Sequence, residues 1–157
     1  MTDPTFIAHM DTPIGIIKIL AKNDSLLGID FVQEKSIPEK RNAVIECTIA
    51  QLKEYFKGLR QDFDLPLALS GTTFQKKVWR ELMKIPYGET LSYGEIARRI
   101  DNPRACRAVG NANNRNKIAI LIPCHRVIGA NGALVGYGGE LWRKKWLLEH
   151  ERRFKNT

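Results

Sequence analysis

Residues 92–110 read SYGEIARRIDNPRACRAVG, and this stretch decides the architecture of the C-terminal half. Ser92 and Glu95 stand at the spacing of a capping box, in which each side chain satisfies a free backbone N–H at the start of a helix. Ile96, Ala97 and Ile100 then share one helical face and Asp101-Asn102 interrupts the run. Pro103 suits the first position of a second helix running to about Asn113, because its missing N–H has no partner to lose there. Two short helices on a tight turn form a helix-turn-helix. On the second, Ala105, Ala108, Gly110 and Ala112 are small, which lets the backbone approach a nucleic-acid groove, while Arg104 and Arg107 project. The same small residues serve equally for close packing in a core, and composition does not choose.

Upstream, Thr72 and Gln75 repeat the capping device ahead of Phe74, Val78, Trp79 and Leu82, and Pro86 with Gly88 closes that helix. Downstream, Ile118 to Ile122 is an apolar run that reads as a buried strand or extended segment, and it delivers Pro123-Cys124-His125-Arg126 at its end. A glycine-rich loop follows from Gly129 to Gly139. The last helix, about Leu141 to Glu151, carries Trp142 and Trp146 one turn apart with Leu147 beside them and is expected to pack over this half.

Toward the N-terminus the period changes. Thr5–Met10, Ile14–Ala21 and Leu26–Val32 alternate as strands of a small antiparallel meander. Ile45, Ile49, Leu52 and Phe56 then mark one face of a helix over Ala43–Lys57, with Gly58 as its stop. Asp62–Gly71 has no period and reads as a linker. The expected fold is therefore α/β, in the α+β sense: residues 1–70 form a lobe of small antiparallel sheet plus helix, and residues 71–157 a mainly helical DNA-binding and active-site lobe containing the helix-turn-helix.

A chain of 157 residues with 43% hydrophobic content can bury a core without staples. Its three cysteines, Cys47, Cys106 and Cys124, are odd in number and form no C-x-x-C pair, so neither a secreted disulfide framework nor a cysteine-rich zinc site is indicated. A reducing, cytoplasmic setting fits that usage. No apolar run approaches the roughly eighteen residues of a membrane span, and the first residues lack the basic-then-apolar order of an export signal. The net charge of +8 favours a polyanionic partner, and it is unevenly placed. From Pro103 to Gly139 there is no acidic residue, while Arg104, Arg107, Arg115, Lys117 and Arg126 are all basic. That stretch is either an electrostatic footprint for nucleic acid or a solvated fluctuation of composition.

Cys124 is the candidate nucleophile. A free thiol, with a pKa of about 8.5, is only slightly ionised at neutral pH, and cationic or proton-accepting neighbours such as His125 and Arg126 convert it into a thiolate. The plainer alternative is a small buried hydrophobe. In an extended segment, successive side chains point opposite ways, so His125 can reach Cys124 only through a turn or a bridging water. Cys47 and Cys106 read as packing residues. A nucleophilic cysteine close behind a helix-turn-helix points to covalent chemistry on a DNA base, which must be extruded from the stack at a cost of a few kcal/mol. Arg107 is the candidate to take the vacated place.

At these residues the chain resembles the O6-alkylguanine-DNA alkyltransferase family, also called methylated-DNA:protein-cysteine methyltransferases. The likeness rests on Ile122-Pro123-Cys124-His125-Arg126-Val127 and extends through Ser92-Tyr93, Arg104 to Val109, Asn116, Tyr137 and Trp146 to Glu151. The N-terminal lobe is similar only in plan. The resemblance implies that Cys124 takes an alkyl group from O6 of guanine, and less readily from O4 of thymine, in one irreversible transfer that consumes the protein. It implies that His125 acts through a water as base for Cys124, that Glu151 orients this histidine, that Asn116 braces the active-site turn and that Tyr93 donates to the departing base. The carbonyls of Cys124 and Val127 would receive the exocyclic amine, with Tyr137 and Gly138 lining the alkyl pocket. The DNA face would comprise Arg107, Arg104, Ala105, Ala108, Gly110, Arg115, Lys117 and Arg126. The expected partner is double-stranded DNA containing alkylated bases, met by a monomer. Lys117 and Glu140 depart from the family pattern, where a proline and a glycine are usual.

Thiolate sulfur is soft and attacks an sp3 carbon unaided, so no cofactor is expected. The glycine-rich loop has neither G-x-G-x-x-G nor G-x-x-x-x-G-K spacing, and His9, His125 and His150 show no metal-ligand spacing. The competing readings are a non-catalytic module that binds alkylated bases, a helix-turn-helix transcription regulator, and a cysteine hydrolase. The first and second leave Cys124 unused, and the third requires an oxyanion hole and repeated turnover.

Overall fold

The computed structural model describes residues 5–35, 38–135, 137 and 140–156. The chain divides into two compact units, Met1–Ser70 and Gly71–Thr157.

In the first unit, β1 (Phe6–Thr12), β2 (Gly15–Ala21) and β3 (Leu26–Val32) form an antiparallel sheet in sequence order. The register pairs Ala8 with Ile19 and Ile17 with Phe31, and slips at Leu20/Ala21. Along β2, Ile17, Ile19 and Ala21 are buried while Lys18 and Leu20 between them are not, as the two-residue period of a strand requires. Helix α1 (Ala43–Phe56) packs on β1 and β2. Asn42 caps it through a 3.0 Å bond from the Ile45 N–H to its Oδ1. Ile45, Ile49, Leu52 and Tyr55 form its buried face, so Tyr55 takes the place expected of Phe56. The expected linker is not free. Pro66 and Ala68 bond the backbone of Leu26 at 2.7 and 2.9 Å, and the Phe63 ring lies 5.4 Å from that of Tyr55.

In the second unit, α2 (Thr73–Leu82) and α3 (Tyr93–Arg99) both open with the capping boxes read from sequence, Thr72/Gln75 and Ser92/Glu95. Helix α4 (Cys106–Asn114) starts three residues later than Pro103, because residues 103–105 form a turn closed by the Ala105 N–H on the Asn102 carbonyl. Asp101 turns the corner with φ of 58°, a left-handed conformation that Asp tolerates. The three helices pack on one another, and Trp79 Nε1 donates to the Ala112 carbonyl at 2.9 Å. Leu91–Ser92 (β4) and Val127–Ile128 (β5) form a short parallel pair. The unit ends in α5 (Leu141–Phe154). The α/β reading is borne out. No helix among the described residues is long and apolar enough to cross a membrane.

One expectation fails here, and that for α5 holds except at Trp142. Ile118–Ile122 is not a strand but a turn, closed by the Ile122 N–H on the Ile118 carbonyl at 3.0 Å. Ile120 adopts φ of 74°, a strained conformation for a β-branched residue that burial of Ile118, Ile120 and Ile122 offsets. In α5 the buried face is Lys144, Leu147, Leu148, His150 and Glu151, whereas Trp142 remains half exposed.

Candidate active site

The strained turn leads into Cys124, the candidate nucleophile. Asn116 accepts the Ile118 N–H at 3.0 Å, and its Nδ2 donates to the Ile122 carbonyl at 2.7 Å and to Cys124 Sγ at 3.2 Å. One side-chain amide therefore closes the turn and solvates the sulfur. Cys124–Arg126 then forms a single 3₁₀ turn, with the Val127 N–H returning to the Cys124 carbonyl. Asn113 Nδ2, from α4, donates to the same carbonyl at 3.3 Å.

Behind this turn lies a buried ionic chain. Glu151 Oε2 is 2.7 Å from His125 Nε2, and Arg126 reaches the same carboxylate through Nε at 2.8 Å and a terminal nitrogen at 3.0 Å. The other terminal nitrogen of Arg126 bonds the Ile85 carbonyl at 2.7 Å, and the Gly88 N–H reaches Glu151 Oε1 at 3.2 Å. Burial alone would raise the Glu151 pKa, but His125 and Arg126 hold it far below the usual carboxylate range. Glu151 is therefore an anion that only accepts. Burial pushes His125 below its ordinary value against the pull of Glu151, so the imidazole rests neutral. Since Nε2 must then carry the proton toward Glu151, Nδ1 is left as the basic nitrogen, and it has no hydrogen-bond partner among the described residues.

Cys124 is 5% exposed. Burial raises its pKa, while the Asn116 amide, the charge of Lys144 and the N–H groups of Cys124 and His125 pull the other way without cancelling it. Two tyrosines border Cys124. Tyr93 donates its hydroxyl to the Val135 carbonyl at 2.8 Å, and its pKa is raised by burial and by Cys124. Tyr137 is buried, which raises its pKa strongly.

The sequence-predicted residues sort into two places. Cys124, His125, Glu151 and Asn116 come together, with Tyr93, Val127 and Tyr137 around them; Gly138 lies outside the described residues. Arg104, Arg107, Ala108, Arg115 and Lys117 are exposed on or beside α4, and Ala105 and Gly110 are half-buried. Ala112 is buried under Trp79, so the small residues of α4 serve both packing and surface. Arg126 must be corrected. Expected on the DNA face, it is buried, with its guanidinium committed to Glu151 and Ile85. Cys47 and Cys106, read as packing residues, are exposed.

Two buried residues escaped the reading, Asn113 and Lys144. Lys144 is 0% exposed, and its ammonium donates to the Val127 and Val135 carbonyls. A signal existed for Lys144. It shares the buried register of α5 with Leu147, Leu148 and Glu151, at offsets of three, four and seven.

Fold and site together define a helix-turn-helix protein with a buried thiol set beside an imidazole–carboxylate pair. Residues 73–153 match the model of the 6-O-methylguanine DNA methyltransferase DNA-binding domain, and residues 6–69 that of the ribonuclease-like domain of the same proteins. A methylated-DNA–protein-cysteine methyltransferase of Mycobacterium leprae is 47% identical over 148 residues, covering 91% of this chain and 90% of the relative. The crystal structure of the Mycobacterium tuberculosis O6-methylguanine methyltransferase has a TM-score of 0.87 at 43% identity, covering 96% of this chain and 94% of that one. That of Mycobacterium tuberculosis OGT in complex with DNA has a TM-score of 0.86 at 45% identity, covering 93% of this chain and 92% of that one. The chain belongs to the 6-O-methylguanine DNA methyltransferase family.

Proposed function

We propose that this protein repairs alkylated DNA directly, moving a methyl group from O6 of guanine, and less readily from O4 of thymine, onto Cys124 in a single irreversible event. The observation that carries this reading is the pairing of a buried thiol, bonded by Asn116, with a neutral His125 whose Nδ1 has no partner among the described residues and whose Nε2 is fixed by Glu151. A proton leaves Cys124 Sγ through a bridging water for His125 Nδ1, and Glu151 stabilises the imidazolium that forms. The sulfur lone pair attacks the methyl carbon. As the S–C bond forms, the C–O bond breaks and its electrons pass to O6 and into the guanine ring. The Tyr93 hydroxyl turns from the Val135 carbonyl to donate to the base, so the leaving guanine does not carry a full negative charge. The product is S-methylcysteine, a stable thioether.

The target atom is hidden in duplex DNA, so the nucleotide must be extruded. The exposed Arg104, Arg107, Arg115 and Lys117 offer phosphate and groove contacts, with Arg107 filling the vacated stack. The Val127 carbonyl accepts the exocyclic amine, that of Cys124 does so by giving up its long 3.3 Å bond from Asn113 Nδ2, and Tyr137 lines the alkyl pocket. Three free thiols accord with a reducing cytoplasm as the working compartment.

The test is to mix the full chain with duplex oligonucleotide containing O6-methylguanine and weigh the intact protein and its peptides. One methyl group is expected per molecule, on the Cys124 peptide, with none in Cys124→Ser. Repeated turnover, or methylation of the Cys47 or Cys106 peptide instead, would refute the reading.

A further inference from the structure

A fully buried lysine needs a reason, because an ammonium taken out of water without a carboxylate is strongly disfavoured. Lys144 pairs with no carboxylate among the described residues, and its partners are two main-chain carbonyls. The nearby carboxylate, Glu151, is already committed to His125, Arg126 and the Gly88 N–H. The other groups around the site are the hydroxyls of Tyr93 and Tyr137, the Arg143 guanidinium, which pairs with Glu140, and the Cys124 sulfur. Burial lowers the Lys144 ammonium to about 8, and Cys124 is the group that draws it back up. The reciprocal effect of Lys144 on the thiol has the matching sign.

The two carbonyls also matter. Val127 belongs to the strand that leaves the active-site turn, and Val135 to the loop, where Tyr93 binds the same oxygen. A carbonyl oxygen has two lone pairs, so the ammonium on Val127 leaves one for an incoming amine.

We propose that Lys144 is a positioning residue of the methyl transfer: its ammonium clamps the Val135 carbonyl of the loop to the Val127 carbonyl of the active-site turn and provides the counter-charge to the Cys124 thiolate. Its link to repair rests on the methyl-acceptor role of Cys124; the electrostatic part stands without it.

The experiment compares Lys144→Met, which removes charge and donor, with Lys144→Gln, which removes the charge and keeps a donor. The pH dependence of Cys124 alkylation by iodoacetamide is followed on the Cys124 peptide, which separates it from the exposed Cys47 and Cys106 and requires no DNA. In both variants the midpoint should rise by about one pH unit, the effect of losing an adjacent opposite charge. Methyl transfer near neutral pH should then slow by about tenfold, the thiolate population falling by that factor. An unchanged midpoint, or one that moves in Lys144→Met alone, would overturn the counter-charge. A wild-type measurement covers the case in which neither variant folds. Titration of Lys144 by 15N NMR before and after methyl transfer should show its midpoint falling once the sulfur can no longer ionise, and no change would overturn the proposal. Absence of methyl on the protein would count against the repair reading and leave the thiol titration intact.

Discussion

Arg107 and Arg126 lie in the same acid-free stretch and meet opposite fates. Arg107 stands on the open face of α4, whereas Arg126 is folded under the active-site turn with its guanidinium spent on Glu151 and Ile85. The contrast runs through the whole unit. On α4 the positive charge faces solvent, where it can meet a polyanion and long side chains lose little by waiting. In the cluster of His125, Arg126, Lys144 and Glu151 each charge has been stripped of water and must be matched by a neighbour. One region is open to an encounter, the other is a closed set of charges beside one sulfur. Identical residue types do both because desolvation, not chemistry, sets what a charge costs.

The largest expected effect is on the buried side. Arg126→Met should destabilise the protein by about 3–5 kcal/mol in urea denaturation, because it leaves the Glu151 carboxylate buried with reduced compensation. A loss under ~1 kcal/mol would erase the distinction between the two arginines. The second effect is acid sensitivity. Glu151 has a depressed folded pKa, so its contribution is complete above the ordinary value of 4.5 and drains away as pH falls below that value toward the folded one. Wild-type stability should therefore decline below that pH more steeply than that of Glu151→Gln; parallel curves would show that the carboxylate is not held as described.

On the open side the effect moves from stability to function. Arg107→Ala should leave unfolding within about 0.5 kcal/mol of wild type. It should slow repair of duplex DNA by about tenfold, equivalent to ~1.4 kcal/mol, with little change toward the free alkylated base. Equal slowing on both substrates would remove its part in extrusion. The smallest effect lies where loop meets α5. Glu140 caps that helix with φ of 78°, where a side chain is strained. Among the described residues its carboxylate takes the Trp142 indole at 2.8 Å and Arg143 at 3.6 Å, both near the surface. Glu140→Gly should raise stability by up to about 1 kcal/mol; a loss in thermal melts would mean that those contacts outweigh the strain.

Legibility followed the range of the interaction. Both capping boxes, the meander and α1 were readable because their determinants lie within four residues of one another or repeat with a strand or helix period. Cys124 stands out as the candidate nucleophile because it sits in a compact signature. The turn at Ile118–Ile122 was not readable, since an apolar run looks the same whether it extends or closes, and burial together with the Asn116 amide holds Ile120 in a left-handed conformation. Arg126 was misplaced for a related reason: its partner is 25 residues away. On α5 the tryptophans are the conspicuous residues, yet the buried face follows the register of Lys144 with Leu147, Leu148 and Glu151.

The amino-acid order alone determined how strands and helices alternate and which cysteine lies in the family signature, because those properties follow from neighbours along the chain. Only the folded molecule decided which charges lose their water. Desolvation depends on what packs around a group from distant segments, and so the proton state of His125, the commitment of Arg126 and the place of Lys144 belong to the tertiary structure.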